Sequence, residues 1–245
     1  GVKVQAPVQK ENFHLYLLIG QSNMAGRGIV EPQDTVGNPQ ILRLNKEGEW
    51  VIARDPLHYD KANAGVGLGL SFARSMLPEN DSIVIGLIPC AVGGSSIDHW
   101  QSGAVFGSRQ LYLYDDALKR ARIAMKDGVL KGILWHQGES EEKKEKAMLY
   151  KDKLIRMVSD LRRDLQAPDV PFIAGEIPAF KNRDIYINPV FYEAKKDIPL
   201  YDVVSAQGLM VLPDSVHLNA VSQREFGKRY AVKMKAVLKI GRSKQ

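Results

Sequence analysis

The sequence contains a single cysteine, Cys90, among 245 residues, which excludes an intrachain disulfide. Long apolar runs are also absent, since the longest extend over about six to eight residues and a membrane-spanning helix needs roughly 20. The His-x-x-x-His and Cys-x-x-Cys spacings of metal sites do not occur, nor does the Gly-x-x-x-x-Gly-Lys-Ser/Thr pattern of a phosphate-binding loop. The sequence therefore predicts no membrane span, no metal ion and no cofactor.

The composition is that of an ordinary globular protein, with 44% apolar and 25% charged residues. The length suits one domain over residues 1–245, long enough to bury a substantial core. A formal net charge of +6 raises the question of a nucleic-acid partner. Because basic residues alternate with acids along helical stretches such as 141–146, we interpret them as a solvated helix face and expect no nucleic-acid partner.

The chain begins at Gly1 without a methionine or an apolar signal core. We expect an exported protein, periplasmic or extracellular, whose signal segment is absent from this sequence. The oligomeric state stays open.

Apolar runs of strand length alternate with longer amphipathic stretches, which predicts an α/β protein with a five-stranded parallel sheet covered by helices on both faces. The predicted strands, each dense in Ile, Val or Leu, are Phe13–Ile19, Ser82–Ile88, Lys131–Trp135, Pro171–Glu176 and Tyr201–Ser205. The predicted helices are Gly67–Met76, Leu113–Lys126, Glu141–Leu165, Pro189–Lys196 and Asn219–Lys239. The segment 27–63 is rich in glycine and proline and predicts an irregular loop, which either shapes a substrate pocket or only tethers the strands.

Polar residues follow the first predicted strand, in Gly20-Gln21-Ser22-Asn23-Met24. A serine at the carboxyl end of a buried strand lies where open α/β folds bind ligands, although Ser22 alone is more typical of a helix N-cap. Near the other end of the chain, Asp214 precedes His217 by three residues. A histidine can take the serine proton and a carboxylate can orient its ring. The two segments together predict a Ser22–His217–Asp214 triad.

Two further blocks follow the second and third predicted strands. Gly93 and Gly94 allow a turn whose bare N–H groups point at a ligand, although a plain turn also fits a Gly-Gly pair. In the block 136–139, the Gln137 amide can donate to a developing oxyanion, and Glu139 can orient a histidine or bind a substrate hydroxyl. Glu139 equally fits a carboxylate in the first turn of the next helix.

These four blocks, in this order, resemble the SGNH (GDSL-like) hydrolase superfamily, and within it the sialate O-acetylesterase and acetyl xylan esterase branch, carbohydrate esterase family 6. The resemblance covers most of the chain. It lies in Gly20–Met24, Gly93-Gly94-Ser95 with Trp100 downstream, His136–Glu139 and Asp214–Leu218. It implies a flavodoxin-like three-layer α/β/α fold and a cofactor-free serine esterase that removes acetyl groups from an acetylated carbohydrate through an acetyl-enzyme.

The resemblance also implies roles for single residues. Ser22 is the nucleophile and His217 the base, while the backbone N–H groups of Ser22 and Gly94 and the Gln137 amide hold the oxyanion. The wider superfamily has Asn where this sequence has Gln137. Asp214 matches the superfamily pattern for the orienting acid.

The branch is also described with the glutamate at the position of Glu139 in that orienting role, which stays the alternative to Asp214. The implied substrate-binding residues are Gln21, Asn23, Gly93, Ser95 and Trp100. Four aromatic residues are candidate sugar platforms, although each also fits ordinary packing: Trp50, Tyr59, Trp100 and Tyr112.

The sequence leaves the glycan open among xylan, sialic acid and pectic or other acetylated sugars. Two alternatives to a carbohydrate acetylesterase remain. One is a hydrolase of another acyl ester, such as a lipase-like or thioesterase-like member of the superfamily. The other is a non-catalytic carbohydrate-binding module on the same scaffold.

Overall fold

A computed structural model describes residues 1–80 and 82–245. Its strands are β1 (Phe13–Gly20), β2 (Ile41–Leu44), β3 (Trp50–Ile52), β4 (Val84–Pro89), β5 (Val129–His136), β6 (Phe172–Gly175) and β7 (Tyr201–Val204). Its α-helices are α1 (Ser22–Ala25), α2 (Gly69–Met76), α3 (Leu113–Ala124), α4 (Lys144–Met148), α5 (Tyr150–Asp164), α6 (Asn188–Glu193) and α7 (Ala220–Ser243). Short 3₁₀ turns lie at Lys10–Asn12, Pro32–Thr35, Ile97–Trp100, Glu139–Glu141 and Ala194–Lys196.

The strands form one sheet in the order β3-β2-β4-β1-β5-β6-β7, in which all neighbours are parallel except β2 and β3. The predicted α/β class with a largely parallel sheet is confirmed. The predicted strand number is wrong, because β2 and β3 fall in the segment 27–63 that the sequence indicates as a loop. These strands are only four and three residues long and lie at one edge of the sheet, and Arg43 interrupts the apolar run of β2.

Successive residues of β1 point to opposite faces of the sheet and enter two separate cores. Leu15, Leu17 and Ile19 pack on the face covered by α3, α5 and α6, while Tyr16 and Leu18 pack on the face covered by α2 and α7. Burial on both faces explains why β1 is an almost continuous apolar run. The molecule therefore has the predicted three layers.

The predicted helix over residues 141–165 is broken into three pieces. Glu141, the first residue of the stretch, ends a 3₁₀ turn, and α4 and α5 meet at Leu149. Met148 and Leu149 have the apolar side chains and the spacing typical of a core-facing helix surface, yet they are 73% and 61% exposed. One cause lies at Glu141, whose buried carboxylate accepts a hydrogen bond from the Ile97 N–H at 3.0 Å and fixes the start of the stretch.

The chain order places a switch point of the sheet at β1. After β1 the chain forms β2, β3 and β4, which all lie on one side of β1 in the sheet. It then crosses to the other side of β1, where β5, β6 and β7 lie. In open α/β sheets, ligands bind at the carboxyl ends of the strands next to such a switch. A functional site is therefore expected among the residues that follow β1, β4 and β5.

The buried carboxyl group of Asp55 gives a prediction about stability. Burial, together with the charge of Asp34, raises the pKa of Asp55 to about 7, and its Oδ1 has no hydrogen-bond partner in the described part of the chain. An acid that binds its proton more tightly when folded stabilises the protein at low pH, and this stabilisation disappears as the pH rises through the folded-state pKa. At about 1.4 kcal/mol per pKa unit, the free energy of unfolding should fall by several kcal/mol between pH 4 and pH 8 because of this group.

Asp55→Asn should remove most of this decline, so that the variant is more stable than the parent protein at pH 8. Urea denaturation at several pH values measures the effect, with Asp152→Asn on the exposed face of α5 as the matched control. Equal pH slopes for the parent protein and Asp55→Asn would contradict the prediction.

Candidate active site

Ser22 follows a turn that only glycine can make. Gly20 ends β1 with φ of +137°, and a Cβ atom at this position would lie 2.0 Å from the His136 carbonyl oxygen. The Gln21 N–H donates to the same oxygen at 2.9 Å, and α1 begins at Ser22. The close approach of β1 and β5 thus ends the strand abruptly and places Ser22 at the carboxyl edge of the sheet.

Ser22 and His217 lie within hydrogen-bond distance although 195 residues separate them. Ser22 Oγ is 3.0 Å from His217 Nε2, and His217 Nδ1 is 2.6 Å from Asp214 Oδ2. The backbone N–H groups of Val216 and His217 donate to Asp214 Oδ1, each at 2.9 Å. The structure therefore brings the three predicted triad residues into one chain of contacts.

The charge state of Asp214 determines the tautomer of His217. Burial of the carboxyl group acts against ionisation, but the backbone hydrogen bonds and the His217 ring hold the pKa of Asp214 below its usual range. An ionised carboxylate can only accept, so Nδ1 carries the ring proton and the Nε2 lone pair faces Ser22. The serine hydroxyl can then donate its proton to Nε2, as general-base catalysis requires.

Asn23 connects the turn of the serine to the loop of the histidine. Its Nδ2 donates to the Val216 carbonyl oxygen at 3.1 Å, and its Oδ1 accepts from the Leu218 N–H at 2.9 Å. These two bonds hold the residues on either side of His217. The side chain is completely buried, so the predicted role of Asn23 in substrate binding does not fit the structure.

Glu139, the alternative orienting acid, makes no hydrogen bond or ion pair with His217 among the described residues. Its Oε1 accepts from Asn23 Nδ2 at 3.1 Å and lies 3.4 Å from His136 Nδ1. Its link to His217 runs through Asn23. In this geometry, the carboxylate that contacts the histidine ring is that of Asp214.

The two backbone N–H groups predicted to hold the oxyanion are those of Ser22 and Gly94. Ser22 is the first residue of α1, where N–H groups have no acceptor within the helix. Gly94 is exposed and has φ of +81°, and its N–H has no acceptor in the described residues. The neighbouring Gly93 N–H is occupied, because it donates to Asp60 Oδ2 at 2.8 Å.

The predicted third donor, the Gln137 amide, does not face the site. Its side chain is completely buried, and its Nε2 lies 2.8 Å from the end of the Gln21 side chain and 3.2 Å from the Ser95 carbonyl oxygen. The same nitrogen also donates to Glu141, and the side-chain oxygen Gln137 Oε1 accepts from the Tyr150 hydroxyl at 2.8 Å. Gln137 therefore belongs to a buried polar network under the serine turn.

Most of the predicted substrate-binding side chains also belong to the interior. Gln21 is 4% exposed, Ser95 is buried, and Trp100 donates through its indole N–H to Ser95 Oγ at 3.0 Å while its ring packs on Trp135. Trp50 is buried too. Of the candidate sugar platforms, Tyr112 is exposed and Tyr59 half-buried.

A buried ion pair supports the turn after β4. Arg27 Nη2 lies 2.7 Å from Asp60 Oδ2, the oxygen that accepts the Gly93 N–H, and both side chains are almost inaccessible. Burial acts against ionisation of Asp60, but the hydrogen bond and charge of Arg27 hold its pKa below the usual range. No local motif in the sequence indicates this pair, since its members lie 33 positions apart.

Within the two described ranges, no group of three or more His, Cys, Asp or Glu side chains is arranged to hold a metal ion. No described helix has the length and apolar character needed to cross a membrane.

Comparisons with known proteins agree on one family. The family model for carbohydrate esterases described as sialic acid-specific acetylesterases matches residues 12–236. A probable carbohydrate esterase of Arabidopsis thaliana is 35% identical over 248 residues, which cover 92% of this chain and 90% of that protein. An X-ray structure of an Arabidopsis thaliana protein superposes with a TM-score of 0.84 at 32% identity and covers 92% of this chain and 98% of that one.

Two more distant structures share the fold. The crystal structure of NanS has a TM-score of 0.73 at 19% identity and covers 98% of this chain and all of that one. A carbohydrate acetylesterase from Xanthomonas citri has a TM-score of 0.69 at 18% identity and covers 92% of this chain and 56% of that one.

Proposed function

Because this chain belongs to the carbohydrate esterase family of sialic acid-specific acetylesterases, and is thus a carboxylic ester hydrolase, we propose that it removes O-acetyl groups from carbohydrates with Ser22 as nucleophile. The observation that carries the proposal is the chain of contacts from Ser22 Oγ to His217 Nε2 at 3.0 Å and from His217 Nδ1 to Asp214 at 2.6 Å. This is the arrangement that a serine needs to become a nucleophile at neutral pH.

The first half of the proposed reaction transfers the acetyl group to the enzyme. His217 Nε2 takes the proton of Ser22 as its Oγ attacks the acetyl carbonyl carbon, and the carbonyl oxygen becomes an oxyanion between the N–H groups of Ser22 and Gly94. The bond from carbon to the sugar oxygen then breaks, and the His217 imidazolium gives its proton to that oxygen. The products are the free sugar hydroxyl and an acetyl-serine.

The second half repeats these steps with water. His217 takes a proton from a water molecule whose oxygen attacks the acetyl-serine carbon. Collapse of the second tetrahedral intermediate returns the proton to Ser22 Oγ and releases acetic acid. Asp214 stabilises the imidazolium in both halves.

The surroundings of Gly94 favour a short acyl group. A Cβ atom at Gly94 would lie 3.9 Å from the edge of the Phe106 ring and 4.0 Å from Lys61 Nζ, so both side chains border the space beside this N–H. We expect kcat/KM for p-nitrophenyl esters to fall by about tenfold or more from acetate to butyrate, because added methylenes have little room. A rise toward longer chains would instead support a lipase-like or thioesterase-like hydrolase.

Acetate release from a panel of acetylated xylan, sialic acid and pectic sugars identifies the glycan, with Ser22→Ala as the blank. Labelling of Ser22 by a sulfonyl fluoride separates the esterase from a non-catalytic binding module. An unlabelled serine in the folded protein, together with no acetate release, would favour the module.

A further inference from the structure

The buried pair of Arg27 and Asp60 joins the two turns that carry the proposed oxyanion donors. Arg27 Nη1 donates to the Gly26 carbonyl oxygen at 2.8 Å, and the Gly26 N–H donates to the Ser22 carbonyl oxygen at 2.8 Å. On the other side, Asp60 Oδ2 accepts from Arg27 Nη2 at 2.7 Å and from the Gly93 N–H at 2.8 Å. Four hydrogen bonds therefore connect the turn of Ser22 with Gly93.

The contact between Arg27 and Asp60 is fixed in orientation as well as in distance. A second bond, from Arg27 Nη1 to Asp60 Oδ1 at 3.3 Å, makes it bidentate. The exposed fractions of the side chains are 5% for Arg27 and 0% for Asp60, so water does not compete for these bonds. Gly93 packs directly on the pair, because a Cβ atom there would lie 2.5 Å from Arg27 Nη2 and 3.1 Å from Asp60 Oδ2. The backbone that leads into Gly94 thus lies against the guanidinium and the carboxylate.

The bond to Asp60 is what orders the two glycines of this turn. Among the described residues it is the only hydrogen bond that Gly93 and Gly94 make. Gly94 has φ of +81°, and glycine has more conformational freedom than any other residue. An oxyanion donor has to stay within roughly 0.5 Å of its productive position. The Gly94 N–H therefore depends on the neighbouring bond for its placement.

The charges of the pair act on placement more than on stability. A buried ion pair contributes little net stability, because the removal of two charges from water offsets their attraction. Apolar residues of similar size often replace such a pair without loss of stability, but they supply no acceptor for the Gly93 N–H. Arg27 also balances the charge of Asp60, which would otherwise repel an oxyanion at Gly94.

We propose that Arg27 and Asp60 are positioning residues for the reaction at Ser22, which set the separation of the Ser22 and Gly94 N–H groups around the oxyanion. The proposal rests on the proposed function. Both side chains are buried and act through the backbone of the two turns, not by contact with the substrate. Loss of the pair should therefore weaken stabilisation of the transition state and leave substrate binding nearly unchanged.

The double variant Arg27→Met/Asp60→Leu tests the proposal, because it removes the acceptor of the Gly93 N–H without leaving an unpaired buried charge. We expect kcat and kcat/KM for p-nitrophenyl acetate to fall together by about 10²-fold, the effect of a misplaced oxyanion donor. The matched control is Arg224→Met/Asp34→Leu, which removes another largely buried ion pair with the same 2.7 Å separation. This control should keep the kcat of the parent protein.

A substrate with sulfur in place of the carbonyl oxygen distinguishes a misplaced donor from general damage to the site. Sulfur is a weak hydrogen-bond acceptor, so p-nitrophenyl thionoacetate gains little from the oxyanion donors. The ratio of kcat/KM for the acetate to kcat/KM for the thionoacetate should drop about tenfold or more in Arg27→Met/Asp60→Leu. Asp214→Ala, which disturbs the histidine instead, should lower both values and leave their ratio within about twofold of the parent protein.

Circular dichroism and urea unfolding check that the double variant folds. If it does not fold, Arg27→Lys decides the proposal, because lysine keeps the charge but cannot make the forked contact with Gly26 and Asp60. Its ratio should drop in the same direction, by about threefold or more. A folded variant with the parent ratio, whatever its kcat, would overturn the proposal and leave the proposed function standing. If the parent protein cleaves no acetyl ester, the proposed function and the positioning role fail together.

Discussion

Replacement of Ser22 by alanine should lower kcat for p-nitrophenyl acetate by about five to six orders of magnitude, the loss seen when a hydrolase of this kind loses its nucleophile. The remaining groups can still bind the ester and polarise its carbonyl, but no oxygen remains that His217 can activate for formation of an acetyl-enzyme. Ser22 is 6% exposed, and among the described residues its side chain makes one hydrogen bond, with His217, so its removal should leave the fold intact. Circular dichroism and thermal unfolding check the fold, and Ser159→Ala on the exposed face of α5 is the matched control.

His217→Ala should have a similar effect, and the double variant should be hardly worse than either single one. Nucleophile and base act as a unit, so their contributions to the rate are strongly non-additive. Independent losses that multiply in the double variant would show that the two residues do not act on the same step. Full activity of Ser22→Ala would refute the proposed nucleophile.

The interior strands can be predicted from the sequence because each one has a characteristic apolar pattern of its own. A strand buried on both faces, such as β1, must be apolar along its whole length, and this pattern is visible without knowledge of its neighbours. The edge strands β2 and β3 are short, and their residues become buried only through contacts with the rest of the sheet. Their pairing energy is a tertiary effect that a segment rich in glycine and proline does not reveal.

Side-chain direction is harder to predict from the sequence than position along a strand. Gln137, Ser95 and Trp100 all follow strands at the active edge of the sheet, as the sequence indicates. Whether a side chain points into the site or beneath it depends on partners distant in sequence, such as Gln21, whose side chain lies 2.8 Å from Gln137 Nε2 although 116 positions separate the two residues. A buried polar residue looks the same in the sequence as a ligand-binding one, because both are polar residues at the end of an apolar strand.

The pairing of Arg27 with Asp60 also depends on tertiary structure and cannot be predicted from the sequence. Each is an ordinary charged residue in an irregular segment, and only the fold removes both from water and places them against Gly93. By contrast, Asp214 and His217 are three residues apart, so one turn is enough to join them. Local spacing therefore predicts the acid–base pair, while the support for the oxyanion turn depends on the tertiary structure.

Alanine variants of the two candidate orienting acids, Asp214 and Glu139, should differ strongly in kcat. Asp214→Ala should lower kcat by about 10³- to 10⁴-fold, because the histidine loses the carboxylate that fixes its tautomer and stabilises its imidazolium. Glu139→Ala should lower kcat by only about tenfold, the effect of one lost hydrogen bond, because Asn23 still holds Val216 and Leu218. Steady-state kinetics with p-nitrophenyl acetate measures both values.

The structure offers a matched control for the exposed carboxylate. The side chain of Asp197 is 46% exposed and that of Asp214 is 44% exposed, and each lies next to one basic side chain, so Asp197→Ala removes a similar charge far from Ser22. Because Asp214 is so accessible to water, its loss should leave the free energy of unfolding within about 1 kcal/mol of the parent protein. A near-native kcat for Asp214→Ala, together with a loss of several orders of magnitude for Glu139→Ala, would transfer the orienting role to Glu139 and require His217 to leave the position it has beside Asp214.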